Sequence, residues 1–140
     1  MEINLEYLLT IDSTAKILTN RNFNTLGLTA TEYSFQDKAL TFLSNEKYLN
    51  ELIGNPGIYS VICSEELAKK IDYNNYGICI HSKPKELFYR LHNHLVTDTT
   101  FYGEPRPNKI DPSAKIHPAA VIAERDVVIG KNVVIEAQTV

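Results

Sequence analysis

Apolar runs alternate with amphipathic segments between residues 39 and 95. The apolar runs predict buried strands at residues 39–44, 58–63 and 76–81. The segments that follow them predict helices at residues 45–54, 64–71 and 82–95. Weaker strand-like patterns lie at residues 15–18 and 23–29. Alternating strands and helices are typical of a largely parallel sheet covered by helices, so the sequence predicts an α/β domain.

Residues suited to capping mark the ends of these helices. Asn45 and Ser64 are favourable N-cap residues, and Gly54 is suited to a helix end. Pro84 stands near the start of the third helix, where its missing N–H costs no hydrogen bond. The apolar stripe of this helix consists of Leu87, Leu91 and Leu95. This stripe predicts one helix face packed against the sheet.

The periodicity changes at residue 110, where the sequence begins to repeat every six residues. Aliphatic residues recur at Ile110, Ile116, Ile122, Ile129 and Ile135. The fifth places, mostly small or β-branched, are Ala114, Ala120, Asp126, Val133 and Thr139. A repeat this short is typical of a parallel β-helix, in which each six-residue side stacks one inward aliphatic on its equivalent in the next coil. The alternative is an ordinary hairpin rich in Val and Ile.

The register of the repeat has one ambiguity after Ile122. Strict six-residue steps would place Val128, Val134 and Val140 inward. A single seven-residue step places Ile129 inward instead and puts the extra residue at a polar corner near Arg125. We prefer the seven-residue step because it restores the aliphatic–glycine pair that begins at Ile129.

The segment between the two patterns contains Gly103, Pro105 and Pro107, which are typical of a stiff linker. We therefore expect an α/β domain at residues 1–101, a linker at 102–109 and the start of a truncated β-helix at 110–140.

Composition argues against several classes of protein. The chain has 140 residues and a formal net charge of −3, without a basic cluster that would indicate nucleic acid or a membrane surface. There is no signal-peptide pattern, and no apolar run approaches the roughly 20 residues that span a bilayer. Cys63 and Cys79 lie inside apolar runs, which predicts buried free thiols in a reducing cytosol. A disulfide or a metal-binding pair is the alternative.

Common catalytic motifs, such as the P-loop, the HExxH zinc motif and the GxSxG elbow, are absent. His92 and His94 are two residues apart on a predicted helix, so they point in different directions and we expect them at the surface or the helix end. His117 is expected to be exposed at a corner of the repeat, with no carboxylate or nucleophile placed to orient it. We therefore assign no catalytic and no metal-binding residue in this chain.

One group of residues does suggest a binding site. Phe42 lies at the end of a predicted strand, Asn45 begins the next helix, and Tyr48 lies in its first turn. Two aromatic rings with an amide between them suit a flat heterocycle such as uracil, because the rings can stack and an amide both donates and accepts hydrogen bonds. The alternative is structural: Phe42 in the core, Asn45 only a helix cap, and Tyr48 packed on an amphipathic face.

The F-x-x-N-x-x-Y pattern at residues 42–48, followed by a βαβα pattern and then IDPSAKIHPAAVI, resembles the bacterial UDP-3-O-acyl-glucosamine N-acyltransferase family of lipid A synthesis. The resemblance is clear at residues 40–52 and 110–122. It implies a uridine-binding α/β domain before a left-handed β-helix, with Phe42 and Tyr48 sandwiching the base and Asn45 bonding its edge. Lys47 is a weaker candidate beside the nucleotide.

The same resemblance implies a cytoplasmic homotrimer that needs no cofactor. The family moves a 3-hydroxyacyl chain from acyl carrier protein to the 2-amino group of a UDP-linked glucosamine. Its catalytic histidine lies in later coils than those present here, so we expect this chain alone to be inactive. Because the family's trimer contacts come chiefly from the β-helix, we expect a monomer, or association through the unpaired β edge of the last turn. Two alternatives stay open: a non-catalytic interaction or scaffold module, and an acetyltransferase acting on another nucleotide-linked amino sugar.

Overall fold

The computed structural model describes all 140 residues, which form two compact units, Met1–Phe101 and Tyr102–Val140. The first unit is a mixed α/β fold with a mostly parallel central sheet, as the strand–helix alternation predicts. The residues expected to form a linker contribute to the second unit. There, the Arg106 N–H donates to the Asp126 carboxylate, and the Asp126 N–H donates to the Arg106 carbonyl.

The strands of the first unit are β1 (Ile3–Asn4), β2 (Lys16–Thr19), β3 (Asn22–Phe23), β4 (Thr25–Leu26), β5 (Ala39–Leu43), β6 (Ile58–Cys63) and β7 (Gly77–Ile80). The central sheet has the order β2-β7-β6-β5-β4. Strands β4 to β7 are parallel, and β2 joins the β7 edge antiparallel. The predictions for β5, β6 and β7 are confirmed to within one residue at each end.

The α-helices are α1 (Leu8–Ile11), α2 (Leu49–Ile53), α3 (Glu65–Ala68) and α4 (Pro84–Asp98). Short 3₁₀ helices at Leu5–Tyr7 and Glu46–Tyr48 precede α1 and α2. The predicted helix after β5 therefore starts as a 3₁₀ turn, although Asn45 is its N-cap and Gly54 ends it, as expected. The second predicted helix is shorter than expected, and α4 runs three residues past residue 95.

The predicted strand at residues 23–29 is wrong as a single element. It divides into β3, which pairs with β1, and β4, which pairs with β5. The break lies at Asn24, whose side chain accepts from the Lys38 N–H at 2.7 Å and donates to the Gln36 carbonyl at 3.0 Å. These side-chain bonds tie the break to the loop before β5, so the chain changes partners here.

Each face of the sheet carries its own apolar core. On one face, Leu87, Leu91 and Leu95 of α4 are fully buried in a cluster with Leu40 and Cys79. This confirms the predicted stripe. The other face holds a second cluster that α2 and α3 cover and that includes Cys63. The prediction of buried thiols is confirmed, and burial raises the pKa of Cys63 to about 11 and that of Cys79 to about 12.

The second unit contains β8 (Lys109–Ile110), β9 (Lys115–Ile116), β10 (Val128–Ile129) and β11 (Val134–Ile135). Strand β8 pairs in parallel with β10, and β9 pairs in parallel with β11. The pairing places Ile110 beside Ile129, 19 residues later, and Ile116 beside Ile135. Ile129 is only 7% exposed, whereas Val128 is 78% exposed. The preferred seven-residue step is therefore confirmed, and the Val/Ile hairpin is wrong because the pairs are parallel.

The corners of the second unit recur at the same six-residue spacing. Asp126, Asn132 and Gln138 all adopt left-handed backbone conformations, with φ of 63°, 59° and 62°. Asn and Asp tolerate this region better than other non-glycine residues, which accounts for two of the three corners. The repeat is thus expressed in backbone geometry as well as in the spacing of its isoleucines.

Candidate functional site

The predicted aromatic pair lies at the carboxyl end of β5, where this strand leads into the 3₁₀ turn before α2. Phe42 is half-buried, and its ring centroid lies 5.0 Å from that of Phe88 and 6.1 Å from that of Tyr89, both on α4. The ring is therefore held by the core helix on one side. Such fixed rings make good stacking surfaces because little conformational freedom is lost on binding.

Tyr48 is held much less tightly than Phe42. It ends the 3₁₀ turn and is 39% exposed, and the Lys47 ammonium lies 4.9 Å from its ring centroid. This cation–π contact is exposed, so it is worth only about 0.5–1 kcal/mol. Tyr48 thus offers an exposed aromatic surface. Lys47 contacts the Tyr48 ring and does not itself line the cleft.

Phe42 and Tyr48 line one cleft of about 330 Å³. Its other lining residues are Leu28, Thr29, Ala30, Ser44, Glu51 and Lys85. The volume is at the lower end of the range of ligand pockets, which begins at about 300 Å³. The structure therefore brings the two predicted rings to the same concave surface.

Asn45, by contrast, does not line this cleft. Its side-chain oxygen accepts from the Lys47 N–H at 3.0 Å, which is the capping interaction expected of an N-cap residue. Its amide NH₂ has no hydrogen-bond partner in the protein, so this group is able to donate a hydrogen bond to a ligand. The sequence reasoning assigned donor and acceptor roles to Asn45 together, whereas the acceptor already serves the backbone.

Residues 28–30 form a further part of the cleft wall, which the sequence did not indicate. The Tyr33 hydroxyl donates to the Leu28 carbonyl at 2.7 Å. The Asn55 amide donates to the Thr29 carbonyl at 2.9 Å and to the Thr31 carbonyl at 2.8 Å. Tyr33 covers Gly57, and this close approach of a ring to a glycine is visible only after folding. The wall is thus anchored before any ligand arrives.

Polar groups in the cleft come from elements far apart in sequence. The Thr29 hydroxyl, on a residue only 9% exposed, donates to the Glu51 carboxylate at 2.9 Å. Lys85 enters from the start of α4 and has no ion-pair partner, whereas its neighbour Lys83 pairs with Glu86 at 3.7 Å. No sequence signal distinguishes Lys85 from the other lysines on helical surfaces.

A second polar cluster fixes the loop before β2. Hydrogen bonds from the Thr14 hydroxyl and backbone N–H, joined by His81 and Arg90, hold the pKa of the Asp12 carboxyl well below its usual range. His81 is buried, and its Nδ1 accepts from the Lys83 N–H, which leaves Nε2 to donate to Asp12 at 2.9 Å. The Asp12 carboxylate accepts these four hydrogen bonds and thereby ties the loop before β2 to His81 and to α4.

His94 lies near the end of α4, which is one of the two places expected for His92 and His94. This side chain is partly buried, with Tyr7 Oη 2.7 Å from its Nε2 and the Asp98 carboxylate 2.9 Å from its Nδ1. It joins the end of α4 to the N-terminal segment. His117 is exposed, as expected, and its Nδ1 accepts from the Ala119 N–H at 3.0 Å. No group of three or more potential metal ligands occurs in the chain.

No protein-family model and no curated protein matches this chain. None of its helices combines the length and apolarity needed to cross a bilayer. Any assignment of function therefore depends on the motif at residues 42–48, on the hexapeptide repeat and on the geometry of the cleft.

Proposed function

We propose that this chain is the nucleotide-sugar recognition region of an N-acyltransferase that resembles the UDP-3-O-acyl-glucosamine N-acyltransferases. In this proposal the cleft at Phe42 and Tyr48 binds the uracil ring of a UDP-linked glucosamine. The acyl donor in this proposal is acyl carrier protein, and we assign no catalytic residue among these 140 residues. The complete enzyme would be a homotrimer.

The observation that carries the proposal is the shared cleft. Phe42 and Tyr48 lie six residues apart across a strand–helix turn, and both of them line the same concave surface. Residues 28 and 29, which also line this surface, are anchored by hydrogen bonds from Tyr33 and Asn55. A preformed apolar slot with a few polar groups at its margin is the usual form of a small-molecule site.

The second unit supports the assignment to a hexapeptide-repeat enzyme. We propose that it forms the first coils of a left-handed β-helix. Parallel hydrogen bonds join successive layers, as from the Asp111 N–H to the Ile129 carbonyl at 2.9 Å and from the His117 N–H to the Ile135 carbonyl at 2.9 Å. Such a ladder stacks identical sides on each other, which is the physical basis of a β-helix.

Binding of UDP, followed by ¹⁵N NMR titration, tests this proposal. Stacking of a base on an aromatic ring is worth about 1–3 kcal/mol, so Tyr48→Ala should weaken binding about 5- to 150-fold. The matched control is Tyr73→Ala, because Tyr73 is 62% exposed and lies outside the cleft. Absence of UDP binding, or equal binding by both variants, would contradict the aromatic site.

One observation favours a second function, that of a non-catalytic scaffold module. Phe42 packs on Phe88 and Tyr89, as a core residue would. If the ring served only the core, Phe42→Ala would cost about 3–5 kcal/mol of stability, and neither this variant nor Tyr48→Ala would change nucleotide binding. The UDP titration therefore separates the two functions.

A further inference from the structure

The cleft contains one carboxylate and one ammonium group that are not joined to each other. Glu51 accepts from Thr29, on the wall formed by residues 28–30. Lys85 belongs to α4, the helix whose residues Phe88 and Tyr89 pack on Phe42. No ion pair links Lys85 with Glu51 or with any other carboxylate, so the lysine is available to a ligand.

We propose that Lys85 binds the phosphate of the nucleotide and thereby fixes its orientation in the cleft. This inference rests on the proposed nucleotide-binding function. A base stacked between Phe42 and Tyr48 must extend its sugar and phosphates from one side of the slot. Coulomb attraction favours a pose that brings the phosphates toward the Lys85 ammonium, whereas repulsion disfavours a pose that brings them toward the Glu51 carboxylate. The chain would then discriminate a nucleotide from a nucleoside through one side chain.

Lys85 differs from the two nearby lysines, Lys83 and Lys47, in its position and in its lack of a partner. Lys83 is two residues away on the same chain segment, but it is paired with Glu86 and does not line the cleft. Lys47 also lies outside the lining and stands over the Tyr48 ring. A compact ammonium on a flexible stem is a common phosphate ligand. Lys85 alone among these three lysines combines a place in the cleft with freedom from a partner.

Comparison of uridine with UDP isolates the contribution of the phosphates. Both are titrated into the full 140-residue chain by ¹⁵N NMR at low ionic strength. The wild type should bind UDP about three- to tenfold more tightly than uridine, since a charge-assisted contact at an open site is stronger than an ordinary surface ion pair. In Lys85→Gln this preference should disappear while uridine affinity is unchanged.

Two control variants make the test specific. Lys83→Gln removes the same charge from the same region, so it should leave the preference for UDP intact. Lys85→Arg keeps the charge and should retain most of the preference. Equal effects of Lys85→Gln and Lys83→Gln on UDP binding, with uridine still bound, would overturn this inference alone. A wild type that binds neither ligand would overturn the proposed function together with it.

Discussion

Substitution of Gly57 by alanine should destabilise the first unit and disturb the cleft at once. A Cβ at Gly57 would lie 2.4 Å from the Cβ of Tyr33 and 2.7–2.8 Å from two of its ring carbons. Real contacts of this kind do not occur at such distances, so Tyr33 has to move. Since the clash involves the Cβ, a simple rotation of the side chain does not relieve it, and the backbone at Tyr33 must shift.

The magnitude follows from what Tyr33 holds in place. Overpacking a well-packed site costs about 1–3 kcal/mol. Loss of the hydrogen bond from the Tyr33 hydroxyl to the Leu28 carbonyl adds about 0.5–1.5 kcal/mol. We therefore expect Gly57→Ala to lower the free energy of unfolding by about 2–4 kcal/mol. The wall at residues 28–30 should move as well, which should lower the affinity of the cleft for any ligand.

Two other glycines provide internal controls. A Cβ at Gly27 meets the hydroxyl end of Tyr33 at 2.2 Å, and this end can swing away, so the cost should be smaller, about 1–2 kcal/mol. A Cβ at Gly54 meets nothing closer than the Asn50 carbonyl at 3.3 Å, so the change should stay within about 0.5–1 kcal/mol of zero. Urea unfolding followed by far-UV circular dichroism measures all three variants. If Gly57→Ala proves as stable as Gly54→Ala, the anchoring role of Tyr33 is refuted.

Three further predictions concern charge, thiols and the repeat. The pKa of Asp12 is lower in the folded chain than in the unfolded chain, so the unfolded chain binds a proton at Asp12 first as the pH falls. The free energy of unfolding should therefore decline below about pH 4. The urea midpoint should decline less over this range for Asp12→Asn. Cys63 and Cys79 should react with a thiol-specific disulfide reagent at pH 8 only when urea exposes them, because burial raises the pKa of both thiols. Rapid labelling of the native chain would contradict their burial. Ile129→Ala should cost about 2–4 kcal/mol of stability and accelerate amide hydrogen exchange in the second unit, because Ile129 is buried. Val128 is exposed, so Val128→Ala should change stability by no more than about 0.5 kcal/mol. Similar exchange in both variants would argue against the seven-residue register.

Local sequence signals located most of the regular elements. Strand β6 matches its apolar run at both ends, and Asn45, Ser64 and Gly54 cap the helices as expected. These positions are determined by neighbours within four residues, through caps and the period of apolar side chains. With the preferred seven-residue step, the repeat after residue 110 also predicted that Ile110 aligns with Ile129 and Ile116 with Ile135.

The arrangement of the cleft at Phe42 and Tyr48 was decided by tertiary structure. Sequence indicated Phe42 and Tyr48 because a single strand–helix turn holds both. It did not indicate the wall at residues 28–30 or Lys85, because loop contacts with Tyr33 and the packing of α4 bring them there from distant parts of the chain. The same cause explains why β2 lies beside β7 although many residues separate them. Spacing along the chain determines local elements, whereas the groups that meet in a cleft depend on which buried faces pack together.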